Sequence, residues 1–424
     1  MKKRLNVWFI NHYAEPPEGM ATRPFEIARR LGELEYDVTI FASNFGHYTL
    51  RPLHSLGSRL WRTESLFGVT FVWLWTLPYR GNGAARVANM LSFSFVAFIA
   101  ALLRRERPDI VVGVTTHPFA GLTGWLLAKI TGARFFYEVT DLWPQTLVDF
   151  GRLTERSVAT RVLRGIERFL YDRAERIIML WRDTADYVRS IGADAGKIAW
   201  IPHGVELDRY KDLARYDGAA RSPFTLVFLG GFNSANAIGT MIDAAEYLLR
   251  IGAVGIRLEL VGAGIEKQHW MSEAERRGLR NVVFPDPVPK TRISAAMSNA
   301  DAFIYGLQDV PLYRYGITLN KLQDYLASGR PIVFYGWSSY DPVREAGAGI
   351  AVHADDAVAL GDAILQLTRL SPEERMTMGQ NGRRWLLTHH LIPDLAKRYD
   401  DLFRHVETKR EPTTKTNPSG QEIL

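Results

Sequence analysis

Short apolar runs of four to six residues, each followed by a stretch of helical periodicity, recur along this chain, and that alternation limits its fold more than any other feature. Runs at Leu5 to Ile10, Val38 to Ala42, Val69 to Leu74, Ile110 to Val114, Arg134 to Val139 and Ile177 to Leu180 read as strands. Helical patterns lie between them near Ala21 to Leu34, Ala84 to Arg105, Ala120 to Thr131 and Glu155 to Ala174. Parallel strands need long crossovers, and helical crossovers cover both faces of a sheet, so this order predicts a doubly wound α/β unit. A second series starts after Ile201-Pro202-His203-Gly204-Val205, with strands at Thr225 to Leu229, Arg257 to Val261, Val282 to Phe284, Ala302 to Tyr305 and Ile332 to Tyr335. Two Rossmann-like units in tandem are expected, over 1–203 and 204–384, followed by C-terminal helices over 385–408. With 424 residues, 47% of them hydrophobic, the chain can fill two cores. Ser371-Pro372-Glu373-Glu374 carries the proline and acids of a helix start. The polar stretch 409–424, KREPTTKTNPSGQEIL, is expected to be disordered.

Composition removes several function classes. There is no cysteine, which excludes disulfides, thiolate catalysis and cysteine metal sites and suits a cytoplasmic setting. The net charge of +6 is too dilute for a duplex-DNA binder, and no nucleic-acid partner is expected. The excess is concentrated in residues 1–203, with 26 Lys+Arg against 19 Asp+Glu. No Asp-x-Asp metal clamp, Walker loop, His-Glu-x-x-His or Gly-x-Ser-x-Gly occurs, and neither a metal nor a cofactor is expected. The uncharged run Val87 to Leu103, bracketed by Arg80, Arg86, Arg104, Arg105 and Arg107, is about 25 Å long as a helix against a hydrocarbon core of about 30 Å. It reads as a buried crossover helix, as a helix dipping into one membrane face, or, at the limit of length, as a span.

Ligands of doubly wound units bind at the carboxyl ends of the strands, so the loops there hold the candidate site. After the first strand come Asn11-His12-Tyr13-Ala14, then Gly19 and Arg23, where a glycine before a helix can offer backbone N–H groups to a phosphate or simply make the turn. His117 follows the fourth strand and can move a proton, bind phosphate or bond to the backbone. Glu138 and Asp141 follow the fifth, with Trp143 alongside; Asp141 suits a base, a hydroxyl-orienting carboxylate or an N-cap. In the second unit, Gly230 and Gly231 precede a helix as Gly19 does. Asn320, Lys321 and Asp324 lie at the start of another helix, where lysine and N–H groups can hold a diphosphate and a carboxylate can hold a ribose. An i,i+3 ion pair between Lys321 and Asp324 is the alternative.

Taken in order, Ile10 to Ala14, Glu138 to Gln145, Ile201 to Val205, Val261 to Gly264 and Asn320 to Pro331 resemble the glycosyltransferases of family 4, and within them the bacterial N-acetylfucosamine-transferase-like branch. The resemblance covers about residues 5 to 400. It implies a GT-B fold, two Rossmann-like domains facing an interdomain cleft, with the last helix crossing back onto the first. It also implies a retaining, metal-independent transfer from a nucleotide diphosphate sugar, bound by the second domain, to an acceptor held by the first. Asp324 falls where the family has the second of two glutamates, while the first falls at Gly316. The family's arginine and lysine after the first strand of the second domain are replaced by Phe232, Asn233 and Asn236, leaving Lys321, Lys290 and backbone N–H groups to neutralise the diphosphate. By family habit the acceptor is a polyprenyl-linked glycan of bacterial surface polysaccharide (O-antigen, capsule or exopolysaccharide), met at the inner face of the cytoplasmic membrane. A nucleotide-sugar epimerase and a non-catalytic nucleotide-sugar binder are the rival readings.

Overall fold

The computed structural model describes residues 4–404 except 17, 20, 21, 48, 82, 289–291 and 319. The first unit runs β1 (Leu5–Ile10), α1 (Arg23–Glu33), β2 (Tyr36–Ser43), β3 (Trp61–Leu66), β4 (Val69–Leu74), α2 (Ala84–Leu102), β5 (Ile110–Val114), α3 (Pro118–Thr131), β6 (Arg134–Val139), α4 (Gln145–Asp149), α5 (Val158–Arg173), β7 (Arg176–Met179), α6 (Ala185–Ser190), β8 (Ile198–Trp200). The second runs β9 (Phe224–Leu229), α7 (Ile238–Arg250), β10 (Ile256–Val261), α8 (Lys267–Arg276), β11 (Val282–Val283), α9 (Ile293–Ser298), β12 (Ala302–Gly306), α10 (Asn320–Ala327), β13 (Ile332–Tyr335), α11 (Pro342–Ala346), β14 (Gly349–Val352), α12 (Ala357–Arg369) and α13 (Pro372–His389). A last helix, α14 (Ile392–Arg404), follows.

Both sheets are built as the alternation requires. The first has the order β3-β4-β2-β1-β5-β6-β7-β8, parallel except for β3, and the second β11-β10-β9-β12-β13-β14, parallel throughout. The central strands β1, β5, β9 and β12 are buried on both faces, which is why they read as continuous apolar runs. Strand order reverses between β1 and β5 and between β9 and β12, so each unit has a crevice at that point. Helix α2 is a crossover helix. Its Met90, Phe93, Val96 and Ala97 are buried in the first core, and the buried Asn89 amide donates to Thr76 Oγ1 (3.0 Å) and Leu77 O (2.6 Å). The spanning reading is thereby removed.

The crossing back starts later than the sequence suggests. Residues 385–389 still belong to α13, which lies on the second unit through Arg383, whose guanidinium donates to Ala327 O at 3.0 Å. The chain leaves that unit beside Val205, where Val205 N–H donates to His390 O (2.9 Å) and Ile392 N–H to Val205 O (3.1 Å). At Gly204 a Cβ would lie 2.6 Å from both His390 O and Leu395 Cδ1, so the His-Gly-Val sequence marks the place where the two connections pass each other. Helix α14 then buries Ile392, Leu395, Ala396, Tyr399 and Phe403, a stripe of helical spacing, against the first unit.

Under that helix Arg23 Nη1 donates to Glu138 Oε1 at 2.5 Å, Tyr399 OH donates to Glu138 Oε2 at 2.6 Å, and Arg23 Nη2 donates to Ile201 O at 3.2 Å. Removing one member of a buried ion pair leaves the other charge unmatched. Glu138→Gln should therefore lower unfolding free energy by about 3 to 5 kcal/mol in urea titrations. Tyr399→Phe, which removes one hydroxyl, should lower it by about 1 to 2 kcal/mol. Equal losses would contradict this ranking.

Candidate active site

Strand-end loops of the two units meet at one seam. Asp183 N–H donates to Tyr315 O (3.2 Å), Ser339 Oγ to Asp183 Oδ2 (2.7 Å) and Arg182 to Glu345 (2.8 Å), while Arg182 lies 4.6 Å from the Tyr340 ring centroid. The carboxyl ends of both sheets thus face one another, with the two crevices as opposite walls of a cleft.

On the first wall, the loops after β1 and β5 bring two histidines together. His117 caps α3: Ala120 N–H donates to its Nδ1 (3.2 Å), which places its proton on Nε2, and that proton is donated to His12 Nδ1 (2.8 Å). Burial holds His117 down at about 3, with the Arg86 charge adding to the effect, and depresses His12 far below the usual range. Both rings are neutral at pH 7. His12 stacks on Phe93 (4.3 Å) and Tyr13 (4.4 Å), and Tyr13 on His47 (4.4 Å). Arg86, in the first turn of α2, closes this group with Nε 3.4 Å from Tyr13 OH and its guanidinium 5.8 Å from the ring centroid.

Asp141 stands beside these residues in another condition. Its side chain caps no helix and makes no hydrogen bond among the described residues, and it is open to the cleft. Enclosure by protein raises its carboxyl toward about 6, opposed by the Arg86 charge, and cleft water tempers that rise. A carboxylate of that kind is ionised at neutral pH and available to a ligand hydroxyl.

On the second wall, Lys321 rises from the first turn of α10 between the ends of β9 and β12. Its Nζ donates to Asn236 Oδ1 and lies 4.9 Å from the Phe228 ring and 5.4 Å from the Tyr305 ring. The Asn236 amide is fixed by donating to Gly231 O (2.7 Å) and Asn233 Oδ1 (3.1 Å). Burial pulls the ammonium down from 10.5 to about 7, and no described carboxylate offsets the effect. A Cβ at residue 230 would lie 3.1 Å from Nζ, so Gly230 leaves space beside the ammonium. Tyr305 OH and Gln308 Oε1 are buried nearby with no partner among the described residues. A half-enclosed cation, a helix N-terminus and the unmatched Tyr305 hydroxyl can receive an anion, whereas the Gln308 oxygen can only accept from a ligand N–H or O–H.

Several sequence expectations are redrawn. Arg23 and Glu138 do not line the cleft, because each is the other's counter-ion beneath α14. Gly19 N–H donates to Pro16 O at 2.8 Å and serves the turn. His117 has both ring nitrogens engaged and holds His12 in place. Lys321 and Asp324 form no ion pair; Asp324 Oδ1 instead accepts from Tyr210 OH, on the segment linking the units. The N–H of Gly230 donates to Val261 O (3.0 Å), while Gly231 contributes its carbonyl to Asn236. Asn320 is exposed at the start of α10, and Lys290 lies outside the described residues. Gly316 has φ +99°, where a glutamate would be strained, and a Cβ would be 3.5 Å from Arg182 N at the seam. Tyr13, His47 and Arg86 were missed as a group, since their ring stacking follows from loops distant in sequence.

Two parallel-sheet units with facing strand ends, bound together by a C-terminal helix that returns to the first, define a GT-B architecture. The glycosyl transferase 4-like domain family matches residues 18–204, and glycosyl transferases group 1 matches residues 223–369. The chain belongs to the family 4 glycosyltransferases. It is similar to WcaI of Escherichia coli, whose name assigns it to colanic acid biosynthesis as a glycosyl transferase, with 24% identity over 53% of this chain and 58% of WcaI. The match thus spans just over half the length of that relative. In fold it is similar to the sucrose-phosphate synthase of Thermosynechococcus elongatus (TM-score 0.74, 17% identity, 95% of this chain and 98% of the other). It is also similar to HepE of Anabaena, solved in complex with UDP-glucose (TM-score 0.66, 13% identity, 94% of this chain and 99% of the other).

The depressed lysine yields a test of opposite sign to the usual loss-of-function mutant. Between pH 7 and 10.5 the folded chain binds fewer protons at Lys321 than the unfolded chain does, so this residue lowers stability below pH 10.5, and the penalty fades as pH rises through that window. Lys321→Met should raise the ligand-free Tm at pH 7, corresponding to about 1 to 3 kcal/mol, and the two proteins should converge near pH 10.5. A lower Tm at pH 7 would contradict the assignment.

Proposed function

We propose that this glycosyltransferase moves a sugar from a nucleotide diphosphate sugar to a lipid-linked glycan acceptor in bacterial surface polysaccharide synthesis, with retention of configuration and without a metal. The observation that carries the reading is Lys321: a lysine half-enclosed at the strand ends of the second unit, with no counter-ion among the described residues, while the strand ends of the first unit carry the open carboxylate of Asp141. The naming of WcaI for colanic acid biosynthesis and the UDP-glucose complex of HepE support the pathway and the donor class.

As the bond between sugar and diphosphate breaks, negative charge grows on the leaving group, and an anion draws the Lys321 proton equilibrium back toward ammonium. Donors already in place at that point stabilise the transition state without reorganisation. Asn236 fixes Lys321, and the N-terminus of α10 adds a favourable dipole. The free oxygen of Asp324 is available to a ribose, its other oxygen being held by Tyr210. On the first wall Asp141 orients the acceptor hydroxyl, and the leaving phosphate takes its proton.

Three measurements bear on this. Product formed from the active donor should keep the donor's anomeric configuration by NMR and form equally well with chelator; inversion or chelator sensitivity would overturn those two elements. Asp141→Asn should lower kcat by about 10²-fold with little change in donor affinity, and the parent's kcat should fall as pH drops through about 6. Equal loss of donor affinity would show Asp141 to be structural. Asp324→Ala should weaken nucleotide binding by about 1 to 3 kcal/mol, and unchanged affinity would remove it from the site. Conversion of the donor without any acceptor would favour an epimerase.

A further inference from the structure

Helix α2 has a second face that the first core does not use. Val87, Leu91, Phe95 and Leu103 are exposed, Phe95 by 66%, and with the partly exposed Ile99 they recur at every fourth position. With about 40° of drift per step, such spacing forms an apolar band that winds across the side of the helix turned away from the core, here about 24 Å long. Trp75 and Leu77 add apolar surface beside it, the Leu77 N–H being bonded to Ser92 Oγ of α2 at 3.0 Å. No Asp or Glu occurs between Glu64 and Glu106, whereas Arg80, Arg86, Arg104 and Arg105 fall within that stretch.

The stripe starts where the cleft ends. Arg86, the residue before Val87, turns inward to Tyr13, and its charge is felt at Asp141, His12, His47 and His117. Passing outward from Asp141, a ligand meets a carboxylate, then a guanidinium beside a tyrosine, then an apolar track. An amphiphile built as sugar, phosphate and hydrocarbon in that order has matching chemistry at each step. A face that only rested on a bilayer would have no use for an arginine turned into the cleft.

We propose that α2 is the acceptor's track, with the phosphate next to the acceptor sugar held by Arg86 and Tyr13 and the hydrocarbon chain lying along Val87, Leu91, Phe95, Ile99 and Leu103. This rests on the transferase reading and adds the residues that select a lipid phosphate. The probes are farnesyl diphosphate, inorganic pyrophosphate, phosphatidylglycerol vesicles free of lipid-linked sugar, and the nucleotides UDP, GDP and ADP, applied to the full chain, with the first two titrated both alone and with the Lys321 site filled by whichever nucleotide binds. Farnesyl diphosphate should bind at least tenfold more tightly than pyrophosphate by calorimetry. L91Q/F95Q should abolish that advantage, and Arg86→Gln should weaken both ligands about tenfold. Neither variant should alter stabilisation by nucleotide, which also reports that each folds.

Equal affinity of farnesyl diphosphate and pyrophosphate would overturn the proposal. Loss of vesicle binding in L91Q/F95Q with farnesyl diphosphate affinity retained would overturn it too, and would identify the stripe as a bilayer-docking face. Nucleotide binding without farnesyl diphosphate binding would remove the track and leave the transferase reading standing. Farnesyl diphosphate binding with its Leu91 and Phe95 dependence, but no nucleotide binding, would support the track and count against the donor half of that reading.

Discussion

The buried contact between Arg23, Glu138 and Tyr399 is the interaction on which the arrangement of the two units depends. It joins the start of α1, the end of β6 and the returning helix α14, residues as far as 376 apart in sequence, in one solvent-free cluster. Buried ion pairs add little net stability compared with apolar packing, but a mispositioned partner leaves a bare charge in the core. The pair therefore acts as a selector of geometry. With α14 fixed on the first unit, the second is tethered at both of its ends, by Val205 and by His390, at a single crossing. Arg29 (3.0 Å) and Arg30 (2.7 Å) donate to the Glu206 carboxylate and so set the linking segment against α1.

The two walls of the cleft differ in the charge they hold. On the first, the buried histidines share one hydrogen bond and are neutral, His12 Nε2 having no partner among the described residues, and they pack against Tyr13. On the second, among the described residues, Lys321 has no counter-ion and the Tyr305 hydroxyl has no hydrogen-bond partner. Unmatched groups of this kind oppose folding and persist where a ligand completes them. Tyr210, bonded to Asp324 from the linking segment, brings the second wall into register with the same region that holds the units together.

Much of this was legible in the sequence, for reasons that can be stated residue by residue. Strands buried on both faces, such as Ile110–Val114, read as unbroken apolar runs, whereas the edge strands Trp61–Leu66, Ile198–Trp200 and Gly349–Val352 are partly exposed, short or mixed in polarity and carry no such signal. Lys321, Gly230 and Asp141 are singled out by the sequence because each stands at a strand end or helix start, where local rules apply. Glu138 was misread for the same reason: its position beside Asp141 suggested a second acid. Its orientation is set by Tyr399, 261 residues away. Nor could spacing show that Gly316 lies at φ +99° beside Arg182, at a contact between units where the family's glutamate would strain the backbone.

The central claim is that Lys321 is held partly deprotonated until a diphosphate arrives. Calorimetric titration of the matching nucleoside diphosphate at pH 8, repeated in buffers of different ionisation enthalpy, measures the protons taken up on binding. A lysine at about 7 is mostly neutral at that pH and becomes charged beside the phosphates, so uptake of close to one proton is expected in the parent and close to none in Lys321→Met. Binding without proton uptake, or equal uptake in both proteins, would contradict the account.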